Sequence, residues 1–201
     1  MIEALLFDYG GVVSDGGKDF EPANRLANNL GLEKRSAYET IDGPWDSLCK
    51  GMISVDDFWA TIENSLGHAI PDESRAIWNT YEECMFPRII VLRLLEKLKA
   101  SKYILGLLSD TVPPTAQSIR ENGGYDIFDF TILSCESGLR KPDRKAYELA
   151  LSKLHNIAPR NVIFIDDNSK NLVPASMLGM KTLLATDSRS LVSAINALLS
   201  V

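Results

Sequence analysis

The chain is poor in the residues that several binding chemistries depend on. Its 201 residues include only three cysteines and two histidines. Cys49, Cys84 and Cys135 are scattered, odd in number and without CxxC spacing, which speaks against a disulfide framework or a structural zinc site. Reduced thiols in the cytoplasm are the expectation. Positive charge is also short, with 21 Lys and Arg against 27 Asp and Glu and a net charge of −6. Such a balance argues against non-specific binding to nucleic acid or to an anionic membrane. No apolar run approaches the ~20 residues that span a bilayer. No basic stretch leads into an apolar core and a small-residue cleavage site, so secretion is not expected. P-loop and dinucleotide fingerprints, internal repeats and low-complexity segments are missing as well. An anionic ligand would need a local cation to overcome the global repulsion.

What is present is an ordinary globular composition, 45% hydrophobic and 24% charged. "IEALLFDY" reads as a buried strand, a continuous apolar run ending in turn residues. "KYILGLLS" (102–109), "DFTILSC" (129–135), "NVIFID" (161–166) and "KTLLA" (181–185) are alike. Helical patterns lie between them in "TAQSIRENGG", "DRKAYELALSKLHN", "SKNLVPASMLGM" and "SRSLVSAINALLS". This alternation predicts an α/β, Rossmann-like three-layer core, a parallel sheet covered by helices on both faces. Residues 18–99 break the rhythm with helical patterns and no convincing strand. In "SVDDFWATIENSLG", Ser54 and Asp57 have capping-box spacing, and Gly67 is a natural terminator. "FEPANRLANNLGL", "DESRAIWNTYEECM" and "RIIVLRLLEKLKA" also read as helical. The domain expectation is therefore a core of residues 1–17 and 100–201, with a helical insertion at 18–99.

Ligands of a doubly wound sheet bind beyond the carboxyl ends of its strands. The first strand ends in Asp8 and a Gly10-Gly11 loop, and the second in Ser109-Asp110. After the third comes "CESGLRKPD" with Lys141, and the fourth ends in Asp166-Asp167 followed by Asn168. Each alone has a plain reading: a turn, an N-cap, a solvated lysine. Together they offer a carboxylate, a hydroxyl, an ammonium and a carboxylate pair to one crevice. That set suits phosphoryl transfer, with Asp8 and Asp166 as hard oxygen ligands for Mg²⁺ and Ser109 and Lys141 on the phosphate oxygens.

These four regions, in this order, resemble the haloacid dehalogenase-like hydrolase superfamily over essentially the whole chain. "LLFDYGG" is similar to its first motif, "LGLLSDT" to its second (with Asp110 where Asn is usual), "GLRKPD" to its third and "VIFIDDN" to its fourth. "KPD" and "IDDN" match the branch that carries a helical cap between the first two motifs. The resemblance implies a nucleophilic Asp8, an aspartyl-phosphate intermediate and catalytic roles for Ser109 and Lys141. It implies phosphate binding by Ser109, Asp110 and Lys141. Mg²⁺ would be held by Asp8, the Gly10 carbonyl, Asp166 and Asp167. The implied partner is a small phosphorylated, sugar-phosphate-like metabolite, met by a monomer or homodimer.

Position 10 departs from the pattern. Family phosphatases usually carry a second Asp there as general acid and base, a group typically worth ~10²–10⁴-fold in rate. Gly10 cannot move a proton, although a D-x-G-G-V first motif resembles a sugar-phosphatase-like branch. Good leaving groups, a replacement acid (Asp15 is nearest in sequence) and poor turnover by a binding or regulatory protein are three ways to read this. A metal-free 2-haloacid dehalogenase is a further alternative, disfavoured by the paired Asp166 and Asp167. Cap-core packing is the plain reading of Trp45, Trp59 and Trp78, and Arg140 reads as a surface residue. Cys135 reads as a buried hydrophobe ending the third strand.

Overall fold

A computed structural model of the protein describes residues 1–16 and 22–199. Gly17 and the expected start of the insertion at residue 18 lie outside the described residues. The five expected strands form as β1 (Ala4–Phe7), β2 (Ile104–Ser109), β3 (Phe130–Leu133), β4 (Val162–Asp166) and β5 (Lys181–Leu184). All pair in parallel, in the order β3-β2-β1-β4-β5. The order reverses at β1, and the crevice beyond the carboxyl ends of β1 and β4 is where such a sheet binds ligands.

The helices are α1 (Pro22–Leu30), α2 (Lys34–Cys49), α3 (Val55–Leu66), α4 (Ile89–Ala100), α5 (Pro113–Glu121), α6 (Ser134–Ser137), α7 (Arg144–Lys153), α8 (Ser169–Met177) and α9 (Ser188–Leu199). Successive side chains of a strand point to opposite faces, and β1 divides accordingly. Leu5 and Phe7 pack with Leu95 and Leu98 of α4 and Ile195 of α9. Ala4 and Leu6 pack with Tyr147 of α7 and Ala175 of α8. Helices thus cover both faces, giving the expected three layers. At Gly106 the layers leave no room for a side chain, since a Cβ would stand 2.4 Å from the Phe130 ring and 2.5 Å from Leu6.

The helices between β1 and β2 divide. Leu26, Ile41, Leu48, Phe58 and Ile62, from α1 to α3, form their own apolar cluster with Ile77. The capping box of Ser54 and Asp57 forms, and Gly67 closes α3 at φ 76°. By contrast α4, placed with the insertion by sequence position, packs on the sheet beside α9. One helical reading changes, and one helix forms where no pattern was singled out. Residues 72–85 form no single helix but a 3₁₀ turn at Asp72–Arg75 and a π turn at Tyr81–Met85. Conversely α2 forms although Gly43 and Pro44 interrupt it, because Ala37, Ile41, Leu48 and Cys49 bury one helical face. Tertiary packing overrides the weak local preference. Cys135 does not end the third strand but lies in α6, two residues beyond β3, and is half-buried and not fully enclosed.

The insertion docks on the core just after α2. Gly51 takes φ 62°, and a Cβ there would sit 2.1 Å from the Cys135 carbonyl oxygen. Only glycine tolerates both the left-handed backbone and that approach.

Candidate active site

The register of the sheet brings the sequence-separated carboxylates together. Phe7 pairs with Ile165, and the Asp8 N–H donates to the Ile165 carbonyl at 2.9 Å, so Asp8 and Asp166 leave neighbouring strand ends side by side. Ser109 ends β2 on the other flank of β1. Beyond these ends opens a cavity of about 300 Å³, lined by Asp8, Gly10, Ser109, Asp110, Lys141 and Asp167 from the core. Trp45, Cys49 and Asn79 line it from the helices and turns between β1 and β2, together with Met85, which packs with the sheet. Every expected site residue except Asp166 lines this cavity.

Asp166 is fully buried directly behind it. Its Oδ1 accepts from the Asn168 N–H at 2.8 Å and from Asn171 Nδ2 at 3.1 Å. Its Oδ2 accepts from Lys141 Nζ at 2.8 Å and again from Asn171 at 3.1 Å. Asn171, on the first turn of α8, is thus a site residue that the sequence reading did not single out. An Asn four residues beyond an acidic pair carries no recognisable signal until the helix folds back.

Lys141 is bound on both sides, since its Nζ also sits 2.8 Å from Asp8 Oδ1. Burial alone would depress this ammonium, but Asp8, Asp166 and Asp110 outweigh it and hold its pKa above the ordinary lysine value. Asp8 Oδ1 accepts a second hydrogen bond, from the Tyr9 N–H at 2.7 Å. Oδ2 of Asp8 accepts none among the described residues. The Ser109 hydroxyl, in a residue 5% exposed, likewise bonds to no described residue. Both atoms belong to residues lining the cavity.

Asp110 is placed differently from the expectation for a phosphate ligand. Its Oδ1 accepts from the Lys141 backbone N–H at 3.0 Å and its Oδ2 from Arg140 at 3.3 Å. Arg140 is no surface residue: it lines the cavity and pairs with Asp46 of α2 at 2.7 Å. A chain of charge therefore runs from the insertion through Arg140 and Asp110 to the backbone of Lys141. Asp15 does not line the cavity, and its carboxylate pairs with Arg88 at 2.6 Å. Arg88 also donates to the Gly11 and Val12 carbonyls, fixing the loop behind Asp8. Trp59 is buried within the helical cluster, whereas Trp45 stacks on Trp78 and faces the cavity.

Asp8, Asp166 and Asp167 each offer a carboxylate oxygen, all within 4.8 Å of one another. Three hard oxygens around one point fit Mg²⁺, which takes such ligands at ~2.0–2.1 Å. Burial, with like charge from Asp166 and against the pull of Lys141, raises the Asp8 carboxyl from 3.8 to about 7. A folded-state pKa above the unfolded one means that the native protein holds the extra proton between those values. Metal-free stability contributed by Asp8 therefore falls as pH rises from about 3.8 to about 7. Ligation needs the carboxylate, so Mg²⁺ binding at pH 6 is expected to release about one proton and at pH 8 almost none. Calorimetry in buffers of different ionisation enthalpy measures this, and equal release at the two pH values would contradict it.

A profile of haloacid dehalogenase-like hydrolases matches residues 2–179. Sesquiterpene phosphatase astK of Aspergillus oryzae is 29% identical over 188 residues, covering 92% of this chain and 91% of that protein. D-ribitol-5-phosphate phosphatase of Bacteroides thetaiotaomicron is 26% identical over 194 residues, covering 90% and 91%. A HAD-family enzyme of the same bacterium, solved with magnesium and inorganic phosphate, superposes with a TM-score of 0.77 at 26% identity over 95% of this chain and 99% of that one. Against the rat bifunctional epoxide hydrolase 2 the match spans only 29% of that protein's length.

Proposed function

Because the chain belongs to the haloacid dehalogenase-like hydrolases, we propose that its cavity hydrolyses a small, sugar-phosphate-like metabolite through an aspartyl-phosphate on Asp8. The protein is a hydrolase of phosphate monoesters, and magnesium is its metal. The observation that carries the finer reading is the Asp8 carboxylate, whose Oδ1 is held by Lys141 and Tyr9 while Oδ2 is left for the cavity. An oxygen without a hydrogen-bond partner keeps its lone pairs for attack. A volume of about 300 Å³ favours a small substrate.

In this reading Oδ2 of Asp8 attacks phosphorus and the P–O bond to the leaving group breaks, its electron pair leaving with that oxygen. Water then attacks the aspartyl-phosphate, releasing phosphate and restoring the carboxylate. Lys141 orients Asp8 and balances charge on the phosphoryl oxygens, and the Ser109 hydroxyl donates to one of them. Asp8, the Gly10 carbonyl, Asp166 and Asp167 would hold Mg²⁺, which supplies charge neutralisation at the phosphoryl group. Asp110, its carboxylate occupied by Lys141 and Arg140, acts by positioning Lys141 and meets phosphate at most through its backbone. The D-x-G-G-V loop supplies no proton at Gly10, which favours substrates whose leaving group needs little protonation. The helices α1 to α3 act as a cap over the cavity, while α4 serves the core.

Phosphate release from hexose 1-phosphates, hexose 6-phosphates and acetyl phosphate tests this. At least one should be turned over, and only with Mg²⁺. No release from any, or metal-independent chloride release from 2-chloropropionate, would overturn the reading.

A further inference from the structure

Asn79 is 5% exposed and lines the cavity from the insertion side. A side-chain amide has one acceptor oxygen and two N–H donors on its nitrogen. Arg25 Nη2 donates to Oδ1 of Asn79 at 3.1 Å. Because a guanidinium only donates, this contact fixes which end of the amide is oxygen. Arg25 is itself held, donating to the Trp78 carbonyl at 3.2 Å and to Glu83 at 3.3 Å, so the amide is locked. Its nitrogen is therefore turned away from Arg25, and it donates to none of the described residues. Although the residue is nearly buried, this nitrogen is not among the enclosed unpaired atoms, so it reaches open space, and the place of Asn79 on the cavity wall makes the cavity the space where an acceptor can meet it. Trp45, Met85 and Val112, which share the cavity wall, offer no strong side-chain acceptor.

The phosphoryl-binding groups belong to the strand ends, while Asn79 belongs to the insertion, so its donor meets the organic part of a substrate. We propose that Asn79 is a specificity-determining residue that hydrogen-bonds an oxygen of the leaving group, and that the substrates are phosphomonoesters of hydroxylated chains. This rests on the phosphatase reading above. It assigns the choice among phosphate esters to a neutral donor and not to the cationic Arg140, whose guanidinium is already shared by Asp46 and Asp110.

The test compares kcat/KM for matched esters with and without hydroxyls, namely glycerol 1-phosphate against propyl phosphate and a pentitol 5-phosphate against pentyl phosphate. Both members of a pair leave as primary alkoxides, so the missing acid at Gly10 slows them alike and cancels from the ratio. The wild-type protein should prefer the hydroxylated member of each pair by about tenfold or more. In Asn79→Leu the ratio should fall to near one. Asn79→Asp keeps the oxygen that Arg25 binds but loses the donor, and it carries the test should Asn79→Leu lose its cooperative unfolding transition. A ratio unchanged in the folded variant, or no wild-type preference, would overturn the proposal. Absence of wild-type phosphate release from all four esters and from the sugar and acetyl phosphates would instead overturn the phosphatase reading, and this proposal with it.

Discussion

Asp8→Asn should lower phosphate release by on the order of 10⁴–10⁶-fold, the scale of losing a covalent nucleophile. The fold should survive the change. The Asn side chain retains an oxygen for the Tyr9 N–H, and Lys141 keeps its contact with Asp166 at 2.8 Å. One buried carboxylate fewer also removes the desolvation cost that, with like charge from Asp166, pushes Asp8 up to about 7. The measurement is steady-state turnover beside a melting curve. A variant that stays folded and keeps more than about a hundredth of the wild-type rate would show that another group attacks phosphorus.

Lys141→Met should be the most damaging change to stability. The lysine side chain is 2% exposed and bridges two carboxylates, so the uncharged residue leaves Asp8 and Asp166 facing each other without their cation. Removing one partner of a buried pair typically costs ~3–5 kcal/mol. For a chain of this size that is a fall in Tm of roughly 6–20 °C. The loss should be largest above pH 7, where the Asp8 carboxyl must ionise, and should shrink as pH falls and Asp8 takes up a proton. Turnover should fall by at least ~10²–10³-fold, as when a preorganised transition-state donor is removed. A Tm deficit equal at pH 5.5 and pH 8 would mean that the lysine serves packing and not charge balance.

Much of the fold was legible because its signals are local. Five apolar runs separated by helical patterns became five parallel strands within a few residues of their expected ends. The Ser54–Asp57 capping box and Gly67 are likewise read from spacing alone. One failure and one omission share a cause. Residues 34–49 carry Gly43 and Pro44, and residues 72–85 carry a helical pattern. The first became a helix and the second two short turns, because burial of Ile41, Leu48 and Ile77 in the insertion's own cluster outweighs propensity. For α4, chain position pointed to the insertion while its apolar face belonged to the sheet.

The sequence by itself determined the chemistry on offer. An Asp, a Ser, a Lys and an acidic pair stand after apolar runs, where a parallel sheet must present them, and Gly10 withholds a proton-carrying side chain. Tertiary structure alone decided how those groups are used. Register sets Asp8 beside Asp166, Asn171 folds back onto Asp166, Asp110 turns to Lys141 and Arg140, and Asn79 is locked by Arg25 with its donor unspent. Hydrogen bonds and ion pairs depend on separations of about 3 Å between residues that can lie more than a hundred positions apart, as Asp8 and Lys141 do. No local pattern encodes such distances until the packed core fixes them.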